Sequence, residues 1–227
     1  MDLHGDAEFH LWDDVQIKDL LRNPAVLHGL ELLDFFSDPS RSYAQRSDIA
    51  RYVILHTYGG IYIDTDYKCR KSFSAVFLDN LNLDLFYVPF TDPTGSRTMN
   101  GLTGCCQAHP LMRITVENMM DRLRPGTISR RDTTYTTGTQ LFTDSIQQYH
   151  REHPDDDRYL VVSEKQLFPC NIWKPQPECS DQWQNVAFAD HLNDGSWNAG
   201  LFAIIRHVIH PCPQRRFIII IVTQKGS

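Results

Sequence analysis

Apolar residues recur along this chain at two periods, and each change of period marks a change of element. From Ser47, "SDIARYVILHTYGG" sets Ile49, Tyr52, Val53 and His56 at i, i+3, i+4 and i+7, the spacing of one buried helical face. Gly59 and Gly60 close that helix, because glycine reaches the left-handed C′ conformation without steric cost. "IYID" follows directly; it is short and rich in β-formers, which predicts a strand. Upstream, "FHLWDD" reads as a strand running into a helix over "VQIKDLLRN" capped by Asp13 or Asp14, and "AVLHGLELLDFF" as an apolar helix closed by "SDPSRS". Downstream, "LDLFYVPF" (83–90), "RYLVVS" and "VAFADHL" read as strands. "HPLMRITVENMMDRL", with Pro110 at the first helical position, and "GTQLFTDSIQQYH" read as helices. "FIIIIV" (217–222) reads as a strand or a sticky end, far short of the ~20 residues that span a bilayer. "LFAIIRHVIH" before it is a weak interfacial candidate. Strands and helices alternate throughout, which predicts a single three-layer α/β domain.

Length and charge narrow this picture. The 227 residues suit one sizeable domain with its own core. A net charge of −6 with scattered lysines and arginines provides no basic face for nucleic acid, so a phosphorylated ligand needs local cations or a metal. Six cysteines (Cys69, Cys105, Cys106, Cys170, Cys179, Cys212) contain no C-x-x-C pair, so neither a zinc ribbon nor a dithiol redox site is suggested; their even number permits disulfides in a lumenal compartment, and the plainer reading is mostly buried free thiols. The N-terminus "MDLHGDAEFHLWDD" does not read as a signal peptide.

Candidate chemistry sits at the end of the "IYID" strand. In extended chain, residues two apart share a side, so Asp64 and Asp66 are expected to present both carboxylates to one spot, with Thr65 facing away. Like charges held so close call for a shared cation, and hard ions such as Mg²⁺ or Mn²⁺ take oxygen ligands of this kind. A second D-x-D, Asp155 and Asp157, has no strand before it and is assigned to a solvated turn. Asp48 and Arg51 stand three apart on one helical face that the glycines fold back toward the Asp64 notch. A guanidinium and a carboxylate beside a metal suit a sugar phosphate.

"SDIARYVILHTYGGIYIDTDYKC" resembles the signature of the DXD-containing, sugar-binding glycosyltransferases of family 32, filling every fixed position of S/A-D-x-x-R-x-x-x-L-x-x-x-G-G-I-Y-x-D-x-D. That family includes fungal mannosyltransferases and inositol phosphoceramide mannosyltransferases. "MNGLTGCCQAHP" (Asn100, His109), "TTGTQLFT" (Gly138, with Thr139 where proline is usual) and "FADHLNDGSWN" (His191, Ser196, Trp197) are similar to later family segments, so the resemblance spans about residues 9 to 200.

The resemblance implies a GT-A fold, a Rossmann-like and mostly parallel sheet flanked by helices, here without the usual first strand of the type "IPKIIHQIW". It divides the chain into a GT-A domain over 1–200 and a tail of unknown role over 201–227. It implies transfer of a hexose, such as mannose, with retention of configuration from a UDP- or GDP-sugar to a glycan or sphingolipid, with Mn²⁺ (or Mg²⁺) as cofactor. Asp64, Asp66 and Arg51 would be catalytic. Asp66 would touch the metal directly and Asp64 through water or by holding the donor, while Ser196 completes the metal shell. Asp48, Arg51, Tyr62, Asn100, Gly138, His191 and Trp197 would bind donor. Relatives in eukaryotes are mostly Golgi-anchored, so a fragment of such a protein is expected in the endomembrane lumen, and the chain complete as written in the cytoplasm. Membrane association is expected only through an anchor outside these residues or the tail. Two alternatives accompany this reading. One is a non-catalytic nucleotide-sugar-binding relative. The other is a haloacid-dehalogenase-type phosphatase, disfavoured by Lys68 where that loop wants Thr or Val.

Overall fold

The computed structural model describes residues 7–71, 84–92, 95–124, 132–167, 189–191 and 217–222. In chain order these form β1 (Ala7–Trp12), α1 (Asp14–Arg22), α2 (Gly29–Ser37), α3 (Tyr43–Tyr58), β2 (Gly60–Ile63), β3 (Tyr67–Cys69), β4 (Leu85–Asp92) and β5 (Gly95–Cys105). Then come α4 (Pro110–Leu123), α5 (Thr133–Thr136), α6 (Thr139–Glu152), β6 (Tyr159–Val161), α7 (Glu164–Leu167), β7 (Ala189–His191) and β8 (Phe217–Val222).

Local chemistry sets several of these boundaries. Asp13 caps α1 in a reciprocal capping box with Gln16, and Ser42 does the same for α3 with Gln45. Gly59 ends α3 at φ +69°, its N–H bonded to the Leu55 carbonyl at 2.9 Å. An added Cβ there would collide with the backbone of Cys106 and Gln107. Pro110 opens α4 as expected. Helix α2 starts later than its apolar run, at Gly29, because residues 24–28 are spent on a turn.

The described strands form a six-stranded sheet in the order β1-β8-β2-β5-β4-β6 and a two-stranded sheet, β3-β7. In the larger sheet β1/β8, β2/β8 and β4/β6 are parallel while β2/β5 and β4/β5 are antiparallel. The fold is therefore mixed α/β, and among the described strands parallel and antiparallel pairs are equally frequent, where a mostly parallel sheet was expected. The C-terminal run "FIIIIV" is β8, inserted between β1 and β2 and parallel to both. Strand β5, which the hydrophobic pattern does not single out, is the antiparallel neighbour of β2.

Strand alternation sorts side chains into two cores. Tyr62, Leu85 and Tyr87 join the core built with α1 to α4 and α6, whereas Ile61, Ile63, Phe86 and Val88 join a smaller one on the other face. Between them the sheet holds α3 centrally. The expected single buried face of α3 (Ile49, Tyr52, Val53) is present, but Asp48, Ala50, Arg51, Ile54 and Leu55 are buried as well. Contacts with α2, α4, β2, β5 and β8 enclose the helix. Two charged residues are thereby carried into the interior beside β2. No described helix is long and apolar enough to cross a membrane.

Candidate functional site

Where β2 meets α3, three charged side chains share one buried locus. Arg51 Nη2 lies 3.1 Å from Asp48 Oδ1 and 3.2 Å from Asp64 Oδ1, joining one carboxylate from its own helix to one from the strand end. Asp48 and Arg51 are each 4% exposed, while the Asp64 side chain is 30% exposed, so the cluster runs from the core toward solvent through Asp64. The Arg51 guanidinium also lies over the Tyr62 ring, 4.5 Å from its centre.

Each carboxylate has its own retainers. Tyr62 donates its hydroxyl to Asp64 Oδ1 at 2.7 Å and contacts Ser47 Oγ at 3.0 Å. Burial pushes the Tyr62 phenol well above its usual range, so it remains a donor. Asp48 accepts from Asn100 Nδ2 (2.9 Å) and from the Thr137 hydroxyl (2.7 Å), and Asn100 also reaches the Tyr52 hydroxyl at 3.0 Å. Burial raises the Asp48 carboxyl to about 7, against the opposing pull of Arg51 and these hydrogen bonds. Burial also works against the charge on Arg51, yet the neighbouring Asp64 and Asp48 carboxylates outweigh it and keep the guanidinium protonated. Arg51 Nε and Nη1 are nonetheless buried without a hydrogen-bond acceptor, and buried donors of that kind concentrate at functional sites.

The D-x-D geometry departs from the extended arrangement the sequence suggests. Asp64 keeps the alternation of β2 and points to the Tyr62 side, its N–H bonded to the Gly101 carbonyl at 2.8 Å. The chain then turns, with Tyr67 N–H donating to the Asp64 carbonyl at 3.3 Å, so Asp66 sits within a hydrogen-bonded turn. The turn arises because β3 starts at Tyr67 to pair with β7, which no hydrophobic periodicity encodes. Asp66 is half-buried at that turn.

The other expected residues are distributed as follows. Asn100 reaches Asp48 directly, and Gly138 caps α6 next to Thr137, with no room for a Cβ against the Thr133 and Thr134 backbone. His191 lies opposite Tyr67 in the β3/β7 pairing, beside the D-x-D turn. Ser196 and Trp197 lie outside the described residues. Asp155 and Asp157 are exposed, as expected of a solvated turn. Tyr52, Thr137, Ser47 and Gly101 are contributions that the motif did not flag. For two of them a signal existed: Tyr52 follows Asp48 by one helical turn, and Thr137 immediately precedes the matched Gly138.

His109 stands apart from this cluster, at the opposite end of β2 and β5. It caps α4 by accepting the Leu111 N–H at Nδ1, and burial lowers its pKa to about 4. Since the folded form resists protonation that the unfolded chain accepts at about 6.5, its contribution to stability is complete above that pH and disappears as pH falls toward 4. Thermal melts across that window are expected to show a loss of up to about 3 kcal/mol, reduced in His109→Asn, which retains a capping oxygen.

The donor set suits a divalent cation. Asp64 Oδ2 accepts no hydrogen bond among the described residues, a hard carboxylate oxygen of the kind such ions take. No group of three or more histidines, cysteines or carboxylates able to hold a metal occurs among the described residues. An ion bound here would therefore draw its remaining ligands from water and a bound diphosphate.

The family model for the glycosyltransferase sugar-binding region containing DXD motif matches residues 1–84. An uncharacterized glycosyltransferase of Acanthamoeba polyphaga mimivirus is 35% identical over 190 residues, covering 82% of this chain and 68% of the viral protein. This chain belongs to the DXD-containing glycosyltransferase family. Inositol phosphoceramide mannosyltransferase 3 of Schizosaccharomyces pombe is 27% identical over 210 residues, covering 92% of this glycosyltransferase and 52% of the yeast protein. The chain thus spans about half the length of that fungal relative. Among solved structures, PaToxG Glycosyltransferase overlaps 64% of this chain and 57% of its own at 18% identity and a TM-score of 0.45, too loosely to support residue correspondences. The mixed α/β sheet of this glycosyltransferase is consistent with the GT-A architecture expected from its signature. Nothing in these likenesses favours the phosphatase alternative.

Proposed function

We propose that this glycosyltransferase moves a hexose from a UDP- or GDP-sugar to a hydroxyl of a glycan or sphingolipid, with retention of configuration and dependence on Mn²⁺ or Mg²⁺. The observation that carries the reading is the Asp48–Arg51–Asp64 cluster at the mouth of the D-x-D turn, a fixed guanidinium with two nitrogens unpartnered among the described residues, between the buried Asp48 carboxylate and the partly exposed Asp64. The similarity to an inositol phosphoceramide mannosyltransferase favours mannose as the sugar and a sphingolipid as the acceptor.

In this reading Asp66 and the open oxygen of Asp64 hold the cation, which supplies a counter-charge for the departing diphosphate. Tyr62 and Arg51 fix the Asp64 carboxylate in one rotamer, so orientation is set before the donor arrives. Arg51 directs positive charge to the diphosphate side, where it stabilises the transition state more than the ground state. Asp48, braced by Asn100 and Thr137, keeps Arg51 in register. With the acceptor attacking from the leaving-group face, no protein nucleophile is required.

The experiment is a screen of UDP- and GDP-sugars against the purified chain, with free nucleotide as readout. Release from at least one donor is expected with Mn²⁺ and not with EDTA. Mn²⁺-dependent nucleotide binding without any turnover would instead favour a binding relative. Phosphate release from phosphomonoesters would contradict both.

A further inference from the structure

At the end of the sheet remote from the D-x-D turn lies a cavity of about 330 Å³, lined among others by Asp84, His109, Tyr149, His153, Asp156 and Arg158. The four residues of β2 separate it from Asp64, since Gly60 pairs with Cys105 beside the cavity and Ile63 with Leu102 beside the turn. At about 3.4 Å per residue that is ~13 Å, so the cavity is not an extension of the donor site. Its size falls at the lower end of small-molecule pockets, about 300–1,000 Å³.

The polar groups of the cavity are built, not scattered. Arg158 Nη1 pairs with Asp84 Oδ2 at 2.5 Å, its Nε lies 3.5 Å from Asp156 Oδ1, and Tyr149 donates its hydroxyl to Asp156 Oδ2. The rings of His109 and His153 pack against Tyr149 at 5.2 and 4.9 Å. His109 is 3% exposed, and its Nδ1 accepts the Leu111 N–H at 3.1 Å. A nitrogen that accepts cannot carry the ring proton, so the neutral ring holds it on Nε2. That donor has no acceptor among the described residues and is open to the cavity, available to something that enters it.

Ligand chemistry follows by elimination. Asp155 and Asp157 at the rim add to Asp84 and Asp156, so four aspartates face one arginine and repel phosphates and other anions. An ammonium ion would suit the carboxylates but has no lone pair for His109. A hydroxyl does both, accepting from His109 Nε2–H while donating to a carboxylate; the Tyr149 ring, 1% exposed, backs the cavity and fixes His109 and Asp156 in place.

We propose that this cavity is a second carbohydrate site, binding a neutral mono- or disaccharide or cyclic polyol through His109 and the Asp84–Arg158–Asp156 network, independently of the donor site. Its role is to hold a glycan against the domain away from the reacting centre. The proposal does not rest on the transferase reading, because Asp66→Ala leaves the cavity intact.

Saturation-transfer NMR on the full chain with mannose, glucose, galactose, N-acetylglucosamine and myo-inositol tests it, with putrescine and inorganic phosphate as the cationic and anionic probes. At least one polyol is expected to bind with millimolar affinity and to do so equally in Asp66→Ala. In His109→Ser, which keeps a capping oxygen for Leu111, binding is expected to weaken by about tenfold or more. Should that variant fail to fold, the ¹⁵N resonance of His109 Nε2 in the unmodified protein is expected to shift on adding the sugar. The proposal is overturned if no polyol binds, if only putrescine or phosphate does, if Mn²⁺ with a nucleoside diphosphate displaces the sugar, or if the His109 resonance stays unmoved.

Discussion

Arg51→Met is expected to eliminate donor turnover and to destabilise the fold by about 3–5 kcal/mol, the cost of stranding one partner of a buried ion pair. Met matches the aliphatic part of arginine, so what is lost is the guanidinium, with its charge and its place over the Tyr62 ring. Asp48 would then remain 4% exposed with hydrogen bonds from Asn100 and Thr137 but no guanidinium, and Asp64 would keep only its Tyr62 contact. For a chain of this size the change corresponds to a fall in Tm of about 10 °C. Its pH dependence distinguishes this cause from a packing defect. The folded pKa of Asp48 is already raised by burial to about 7 and rises further without Arg51, so the carboxyl is neutral and tolerated at low pH and becomes an uncompensated buried charge as pH rises past that value. The penalty is therefore expected to be larger at pH 9 than at pH 7, and Asp48→Asn added to Arg51→Met is expected to recover part of it. Urea melts at the two pH values measure both effects. Arg51→Lys keeps charge but presents no fork, and is expected to fall between wild type and Arg51→Met.

Gly101→Ala is expected to reduce turnover by about a hundredfold with only a modest loss of stability, about 1–3 kcal/mol. A Cβ on residue 101 would overlap Asp64 Oδ2 and stand 3.2 Å from its Cγ. Relief is blocked on two sides: Asp64 N–H is bonded to the Gly101 carbonyl, and Asp64 Oδ1 is held by Tyr62 and Arg51. The carboxylate has to swing away from the position at which it would hold a cation. Gly104→Ala is the matched comparison in the same strand. Its Cβ would overlap the Phe86 ring on the opposite side of the molecule's chemistry, so it should lower Tm without selectively lowering turnover. Equal activity losses in the two variants at equal Tm would show that residue 101 matters only for packing.

The contrast between Gly101 and its neighbours explains what the sequence made legible. The helix–glycine–strand unit from Ser47 to Asp64 could be read residue by residue, because its signals are local: a 3.6-residue period, two glycines and a run of β-formers, whereas the first turn from Tyr43 and its Ser42–Gln45 capping box were missed. The Asp48–Arg51 pairing followed from their helical spacing, and its orientation toward Asp64 from the reversal at Gly59. Strand β5 was opaque for the reason that makes it useful. Its glycines at 101 and 104 lower β propensity, and they are required because Asp64 and Phe86 occupy the space their side chains would fill. Likewise, the run at 217–222 announced a strand but not its place between β1 and β2, since parallel neighbours are chosen by tertiary packing and carry no turn signal. The turn at Asp64–Tyr67 was hidden by the same non-locality. Asn100 was flagged only by family resemblance, and Thr137 and Tyr52 by nothing beyond adjacency, because Asn100 and Thr137 reach Asp48 from 52 and 89 residues away along the chain.

The central claim is that Asp64 and Asp66 together hold a cation that grips a diphosphate. Isothermal titration of GDP and of UDP into the protein, with Mn²⁺ and with EDTA, and again into Asp66→Ala, tests it most directly. The account predicts that one nucleotide binds the unmodified protein only when Mn²⁺ is present, and that Asp66→Ala loses this binding while melting at an unchanged temperature. Equal binding with EDTA, or Mn²⁺-dependent binding that survives Asp66→Ala, would contradict it.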